Sequence, residues 1–351
     1  MLHSFASSDG SPSQGGIIQG SDGDFYGTTL NDGANGSGTV FKITGGGAFT
    51  VLHSFTRTET EGGNPYAPLV QASNGKFYGT TWDGGSFDHG TIYEINSSGS
   101  FSTVYIFCLA NPNTCTDGYN PEGALVEGSD GNLYGMTARG GDPACGLNGY
   151  TGCGTIFKIT PGGTLTTIHD FEGTDGAGPV SSLIQGTDGN FYGTTQWDGA
   201  NLTCPQGCGT VFSVTPSGTL TTLYSFCSVT GCTDGAAPIS ALLQDTNGTF
   251  YGGTALGGTG GDGTIYSVSI GLGPFVKTNP RAGGVGRSIN ILGTDLTGTT
   301  SVTFNGVPAT FTVVAATFIT ATVPAGATTG PVQVATPSGT LTSNVAFQVL
   351  P

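Results

Sequence analysis

Three carboxylates in polar, turn-rich stretches, Asp117, Glu122 and Asp175, are the residues of this 351-residue chain best suited to acid–base work. Two such groups flanking a glycosidic bond can protonate the leaving oxygen and activate water or attack the sugar. Arg139 stands close enough in sequence to orient Asp117 and Glu122 or raise their acidity. The plainer reading is that they are solvated acids at a polar mouth, since no local motif sets their spacing. Flat aromatic side chains lie in the same kind of loop. Trp82 and Trp197 are each followed by an aspartate, Asp83 and Asp198, and Tyr66, Tyr119 and Tyr150 fall in neighbouring loops. Rings of this kind stack on the C–H faces of pyranoses while adjacent Asp and Asn bond hydroxyls. They equally well cover a scaffold, because the body of a tryptophan is usually buried.

A further set of acids recurs: Asp9, Glu61, Asp117, Asp175 and Asp234, commonly in Thr-Asp-Gly with a proline a few residues on. Such sequences are turn chemistry, in which the carboxylate bonds nearby backbone N–H groups. The alternative is a ring of acids holding a hard cation such as Ca²⁺, which requires at least two oxygens within about 2.3–2.6 Å of the ion. His3, His53 and His169 repeat in apolar strand sequences and suit packing, whereas His89 stands in a loop. The chain has no nucleophile elbow, phosphate-binding loop or His-x-x-x-His pair.

These residues hang on a repeat. A Tyr-Gly word occurs at Tyr26, Tyr78, Tyr134, Tyr192 and Tyr251, with periods of 52, 56, 58 and 59 residues. A Gly-Thr word follows each time, at Gly38, Gly90, Gly154, Gly209 and Gly263. Each copy divides into four short strands, and Asp22-Gly23, Asn74-Gly75, Asp130-Gly131, Asp188-Gly189 and Asn247-Gly248 suit two-residue type I′ hairpins. Four-stranded units that cannot bury their faces alone stack radially, so residues 1–273 are expected to form an all-β, five-bladed β-propeller. The fifth copy lacks a fourth strand. Leu2-His3-Ser4-Phe5 matches Leu52-His53-Ser54-Phe55 and Leu223-Tyr224-Ser225-Phe226, which predicts that the N-terminal strand closes the last blade. In this alignment Glu122 corresponds to Gln14, Tyr66, Val180 and Ile239, so one blade alone offers a carboxylate there.

The three words in fixed order resemble the GloVer-type tandem repeat of secreted and surface bacterial proteins. That resemblance covers residues 1–273 and implies a propeller and an extracellular address, with no defined reaction. Residues 274–351 alternate apolar and polar residues in short runs, as a small β-sandwich does. Asn279-Pro280, Ile291-Leu292-Gly293-Thr294, Val302-Thr303-Phe304-Asn305-Gly306 and Val323-Pro324 resemble an IPT/TIG immunoglobulin-like domain, a module that implies a spacer or docking role.

Charge and cysteine content narrow the function classes. The net charge is −15, divided as −17 over residues 1–273 (5 basic, 22 acidic) and +2 over residues 274–351 (3 basic, 1 acidic). A surface of that sign repels phosphate backbones, which excludes nucleic acid as a natural partner and leaves cations and neutral polymers. No apolar run is long enough to span a bilayer, which argues against membrane insertion. Eight cysteines fall into four local pairs, Cys108/Cys115, Cys145/Cys153, Cys204/Cys208 and Cys227/Cys232, in spacings that predict disulfides made outside the cytosol rather than zinc ligation. The start of the chain lacks a basic and apolar leader, so a signal peptide is expected to have been removed. All four pairs lie in the second and inter-blade loops, which marks the face carrying those loops as the functional one. The expectation is a secreted or cell-surface protein that recognises carbohydrate on that face. A glycoside hydrolase or polysaccharide lyase, and a structural assembly protein, are the competing classes.

Overall fold

The computed structural model describes residues 1–351 apart from 12–14, 111–113, 148–149, 202, 205–206 and 351, and apart from the side chains of 147 and 150. Gln14 and the Tyr150 side chain thus lie outside the described residues. Among the described residues every regular element is a β-strand save one short 3₁₀ turn, Thr230–Cys232. None is a helix long and apolar enough to cross a membrane.

Four blades follow one plan of antiparallel strands in sequence order. Blade one comprises Ile18–Gln19, Phe25–Thr29, Thr39–Ile43 and Phe49–Ser54; blade two comprises Val70–Gln71, Phe77–Thr81, Thr91–Ile95 and Phe101–Ile106. Blade three comprises Val126–Glu127, Leu133–Thr137, Thr155–Ile159 and Leu165–Asp170; blade four comprises Ile184–Gln185, Phe191–Thr195, Thr210–Val214 and Leu220–Ser225. Consecutive blades bury shared cores. Tyr26, Val40 and Phe55 of the first pack with Leu69, Phe77 and Tyr93 of the second, and Tyr134, Ile156 and Phe171 of the third pack with Leu183, Phe191 and Phe212 of the fourth.

The recurring words serve this scaffold. In blades one to four the tyrosine of the Tyr-Gly word is buried; its hydroxyl donates to the turn residue four places earlier in blades one and three, Tyr26 to Asp22 at 2.6 Å and Tyr134 to Asp130 at 2.8 Å, and accepts from Asn74 at 2.9 Å in blade two. The glycine that follows lies under an aromatic ring of the next strand: a Cβ on Gly135 would stand 2.5 Å from the Phe157 ring. The threonine two places after it pairs with the threonine of the Gly-Thr word, as in Thr29–Thr39 at 2.9 Å and Thr195–Thr210 at 2.8 Å.

The hairpin turns differ from the expected type I′. The glycines, among them Gly23, Gly75 and Gly131, have positive φ, but the preceding Asp or Asn does not. Gly20 and Asp24 bracket the turn, with Gly23 N–H donating to the Gly20 carbonyl, which is a type I turn followed by a left-handed glycine. The side chain decides this: Asp22 accepts the Asp24 N–H at 3.2 Å and Asn74 accepts that of Lys76 at 3.0 Å, an Asx geometry that requires ordinary φ.

The fifth sheet contains Leu243–Gln244, Phe250–Leu256 and Thr264–Val268, with Ala236–Pro238 added on Phe250–Leu256. The expected closure by the N-terminal strand is not found. Residues 1–6 form no strand, and among the described residues Thr264–Val268 pairs only with Phe250–Leu256. Residues 2–5 instead seat on blade one, where the His3 ring stacks on Phe49 at 3.8 Å, as His53 of blade one stacks on Phe101 of blade two at 3.8 Å.

The chain forms two compact units, Met1–Gln185 with Gly189–Leu242 and Gly252–Tyr266, and Gly186–Asp188 with Leu243–Tyr251 and Ser267–Pro351. The second contains two four-stranded sheets. One orders Lys277–Asn279, Ser288–Leu292, Phe318–Thr322 and Phe311–Ala315; the other orders Val307–Pro308, Ser301–Phe304, Val332–Thr336 and Gly339–Thr342. Val276, Ile291, Val302, Phe304, Ile319, Val334 and Phe347 fill the space between them.

Candidate functional site

Blades two and three bring together Tyr66, Trp82, Glu122, Asn120 and Arg139. Asn64 and Asn120 take left-handed backbone conformations and precede Pro65 and Pro121, so Tyr66 and Glu122 occupy the same place at the entry to successive inner strands. The Asn120 side chain donates to the Trp82 carbonyl at 2.7 Å, fastening blade three to the blade-two loop. Across that junction the Trp82 indole N–H donates to Glu122 Oε1 at 3.3 Å, and the exposed Tyr66 ring meets the indole edge-on at 6.0 Å. Arg139 donates to Asn120 Oδ1 at 3.3 Å. Burial pushes the Glu122 carboxyl above the usual carboxylate range, and the indole N–H and the Arg139 charge pull it partly back. The result is a half-buried aromatic ledge with one acid, one cation and amide groups beside it.

Trp197 does not repeat the position of Trp82. Trp82, Ala138 and Gln196 each donate a backbone N–H to the corresponding carbonyl, of Asn64, Asn120 and Gly178, which makes Gln196 the counterpart of Trp82. Trp197 corresponds to Asp83 and Arg139, whose bridge partners Gly63 and Tyr119 match its own partner Ala177. A one-residue offset in an extended chain turns the side chain to the opposite side. The indole of Trp197 accordingly packs on the core shared by blades three and four. Its neighbour Asp198 is partly buried, and burial raises its pKa.

Asp83 is buried and pairs with Arg57 at 3.0 Å, while its Oδ1 has no hydrogen-bond partner. Burial lifts its pKa to about 6 against the pull of Arg57. Arg57 also bonds Asp88 through Nε at 3.0 Å and an NH2 at 2.6 Å, and this bidentate pair lay outside the sequence reading. Its only signal was Arg57 itself, one of the few cations of residues 1–273. His89 packs on Tyr119 at 4.6 Å, and burial lowers the His89 pKa.

The five recurring acids are distributed one to a loop. Each accepts a hydrogen bond from a preceding His or Tyr, in a fourth strand in every case but His3, and from a backbone N–H of the loop between. Asp9 takes His3 (3.0 Å) and Ala6 N–H (3.0 Å), and Glu61 takes His53 (2.9 Å) and Thr56 N–H (2.9 Å). Asp117 takes Tyr105 (2.8 Å) and Cys108 N–H (2.9 Å), and Asp175 takes His169 (2.7 Å) and Glu172 N–H (3.0 Å). Asp234 takes Tyr224 (2.7 Å) and Ser228 N–H (2.9 Å). Among the described residues none of the five belongs to a group of three or more side chains placed to share a metal ion. Asp117 and Asp175 are thus held against fourth strands, by Tyr105 and His169, while Glu122 is bonded by Trp82. All four expected cysteine pairs are disulfides: Cys108–Cys115, Cys145–Cys153, Cys204–Cys208 and Cys227–Cys232.

A family model described as the Gloeobacter/Verrucomicrobia repeat matches residues 1–148 and 114–307. The chain belongs to that repeat family. An IPT/TIG domain model matches residues 275–349. No curated protein matches the sequence. Among solved structures, the periplasmic gluconolactonase of Pseudomonas aeruginosa aligns at 14% identity and TM-score 0.41, over 88% of each chain. A luciferin-regenerating enzyme aligns at 11% identity and TM-score 0.43, over 97% of this chain and 95% of its own. Neither likeness carries an activity across.

Proposed function

We propose that this repeat protein is an extracellular binding module that recognises carbohydrate at the ledge between blades two and three, with the IPT/TIG domain as spacer or docking unit. The observation that carries this reading is the apposition of Tyr66, Trp82 and Glu122 across a blade junction, held by Asn120. An indole and a phenol ring offer apolar faces to a pyranose, while Glu122, Arg139 and Tyr119 supply polar partners for hydroxyls. The acidic surface favours a neutral glycan over a phosphorylated one. Four disulfides support an oxidising, extracellular setting.

The test is a glycan array followed by calorimetry on the best hit. Binding should be lost in Trp82→Ala and retained in Trp197→Ala, and absence of binding to any glycan overturns the reading. The raised Glu122 carboxyl supports a second reading, a glycoside hydrolase or lyase with Glu122 as general acid. Reducing-sugar or unsaturated-sugar release, abolished by Glu122→Gln, would establish it. Asp117 and Asp175 are poorer partners for that chemistry because each is tied to a fourth-strand side chain, Tyr105 and His169.

A further inference from the structure

The two ends of the blade series expose the two halves of one interface. On the fifth blade Ile265 is 90% exposed, whereas its counterparts Val40, Ile92, Ile156 and Val211 are 0% exposed beneath the next blade. On the first blade Ile17 is 58% exposed and Phe5 42%, whereas Leu69, Leu125, Leu183 and Leu242 are 3–4% exposed and Phe55, Phe107, Phe171 and Phe226 are 0–1%. Among the described residues the strand Thr264–Val268 also has one edge without a partner. In blades one to four the fourth strand fills that edge, with Thr39 opposite Ser54 and Val40 opposite His53, and Thr210 opposite Ser225 and Val211 opposite Tyr224.

The segment with the matching sequence already stands ready on blade one. His3 lies on Phe49, Phe5 meets Phe41 edge-on at 5.4 Å, and Asp9 clasps His3, which repeats the arrangement of His53, Phe55 and Glu61 against blade two. Residues 2–5 thus take the place of an outer strand on blade one without pairing as one. An unpaired strand edge beside an uncovered branched apolar side chain is a template for association.

We propose that blade five of one chain docks on residues 2–5 and blade one of a second copy, head to tail. The expected register places Thr264 opposite Ser4 and Ile265 opposite His3. A second copy fits because both faces are exposed at once in a single chain, with residues 2–5 already held on blade one. Docking two preformed faces needs no change in the four packed blade interfaces. The contact is heterologous, so each copy keeps one free end until the series closes. None of Tyr66, Trp82 or Glu122 takes part, so the result stands apart from glycan binding.

Sedimentation velocity of the full chain tests the idea. Association should rise with concentration, and Ile265→Asp and Ile17→Asp should each weaken it about tenfold or more. Mixed in equal amounts, the two variants should form a two-chain species and stop there, because each retains the face the other lacks. A Ser4→Cys chain should form a disulfide with a Thr264→Cys chain. A single-chain mass at every concentration overturns the proposal. So does a Ser4→Cys/Thr264→Cys double variant whose new disulfide lies within one chain, which would signal closure by the chain's own N-terminus.

Discussion

Trp82 and Trp197 are separated in the structure by one residue of register, and that offset assigns them different work. Trp82 faces Glu122 across a blade junction; Trp197 is packed on a core. Trp197→Ala should therefore lower stability on the order of 2–4 kcal/mol, read in a denaturant melt, with little effect on ligand affinity. Trp82→Ala should do the reverse, weakening glycan binding about tenfold or more by calorimetry. Asp83 makes a pH prediction of definite sign. Its folded pKa, about 6, lies above the ordinary aspartate value of 3.8, so the folded state holds the proton more tightly and stability declines as pH rises through that window. Relative to Asp83→Asn, the wild-type Tm should fall between about pH 4 and pH 6.5. The sequence placed Trp82 and Glu122 in loops of one face, but their meeting depends on which side of an extended strand each side chain leaves. That is a matter of register, which spacing alone does not specify.

At the scale of the element, the acids of the inter-blade loops act as clasps. Each ties a fourth-strand-type His or Tyr to a loop backbone; in Glu61, Asp117 and Asp234 a single carboxylate oxygen takes both donors. Asp175→Ala should cost about 1–2 kcal/mol and raise amide exchange in the loop at Glu172, measured by hydrogen–deuterium exchange. Excess EDTA or added Ca²⁺ should leave the Tm unchanged, because no three of these acids share a site among the described residues. Gly135→Ala should destabilise by about 1–3 kcal/mol, since its Cβ would stand 2.5 Å from the Phe157 ring. The turn reading of these acids was legible in Thr-Asp-Gly. Their His and Tyr partners were not, because the two members of each clasp belong to different strands and loops.

At the scale of the molecule, repetition alone made the all-β character and the four-strand plan of the first four sheets legible. Each is set by local rules: alternating apolar residues, Asp-Gly turns and glycines under aromatic rings are decided within one repeat. The disulfide pairs were legible for the same reason, as each joins cysteines in one short loop. What only the tertiary structure decided is how repeats meet. It placed Glu122 against Trp82, withdrew Asp117 and Asp175 to the fourth strands, and left Ile265 uncovered with residues 2–5 seated on blade one. The Trp82–Glu122 and His3–Phe49 contacts join residues of different repeats, and their geometry follows from packing one sheet on the next. No pattern within a single repeat contains that information.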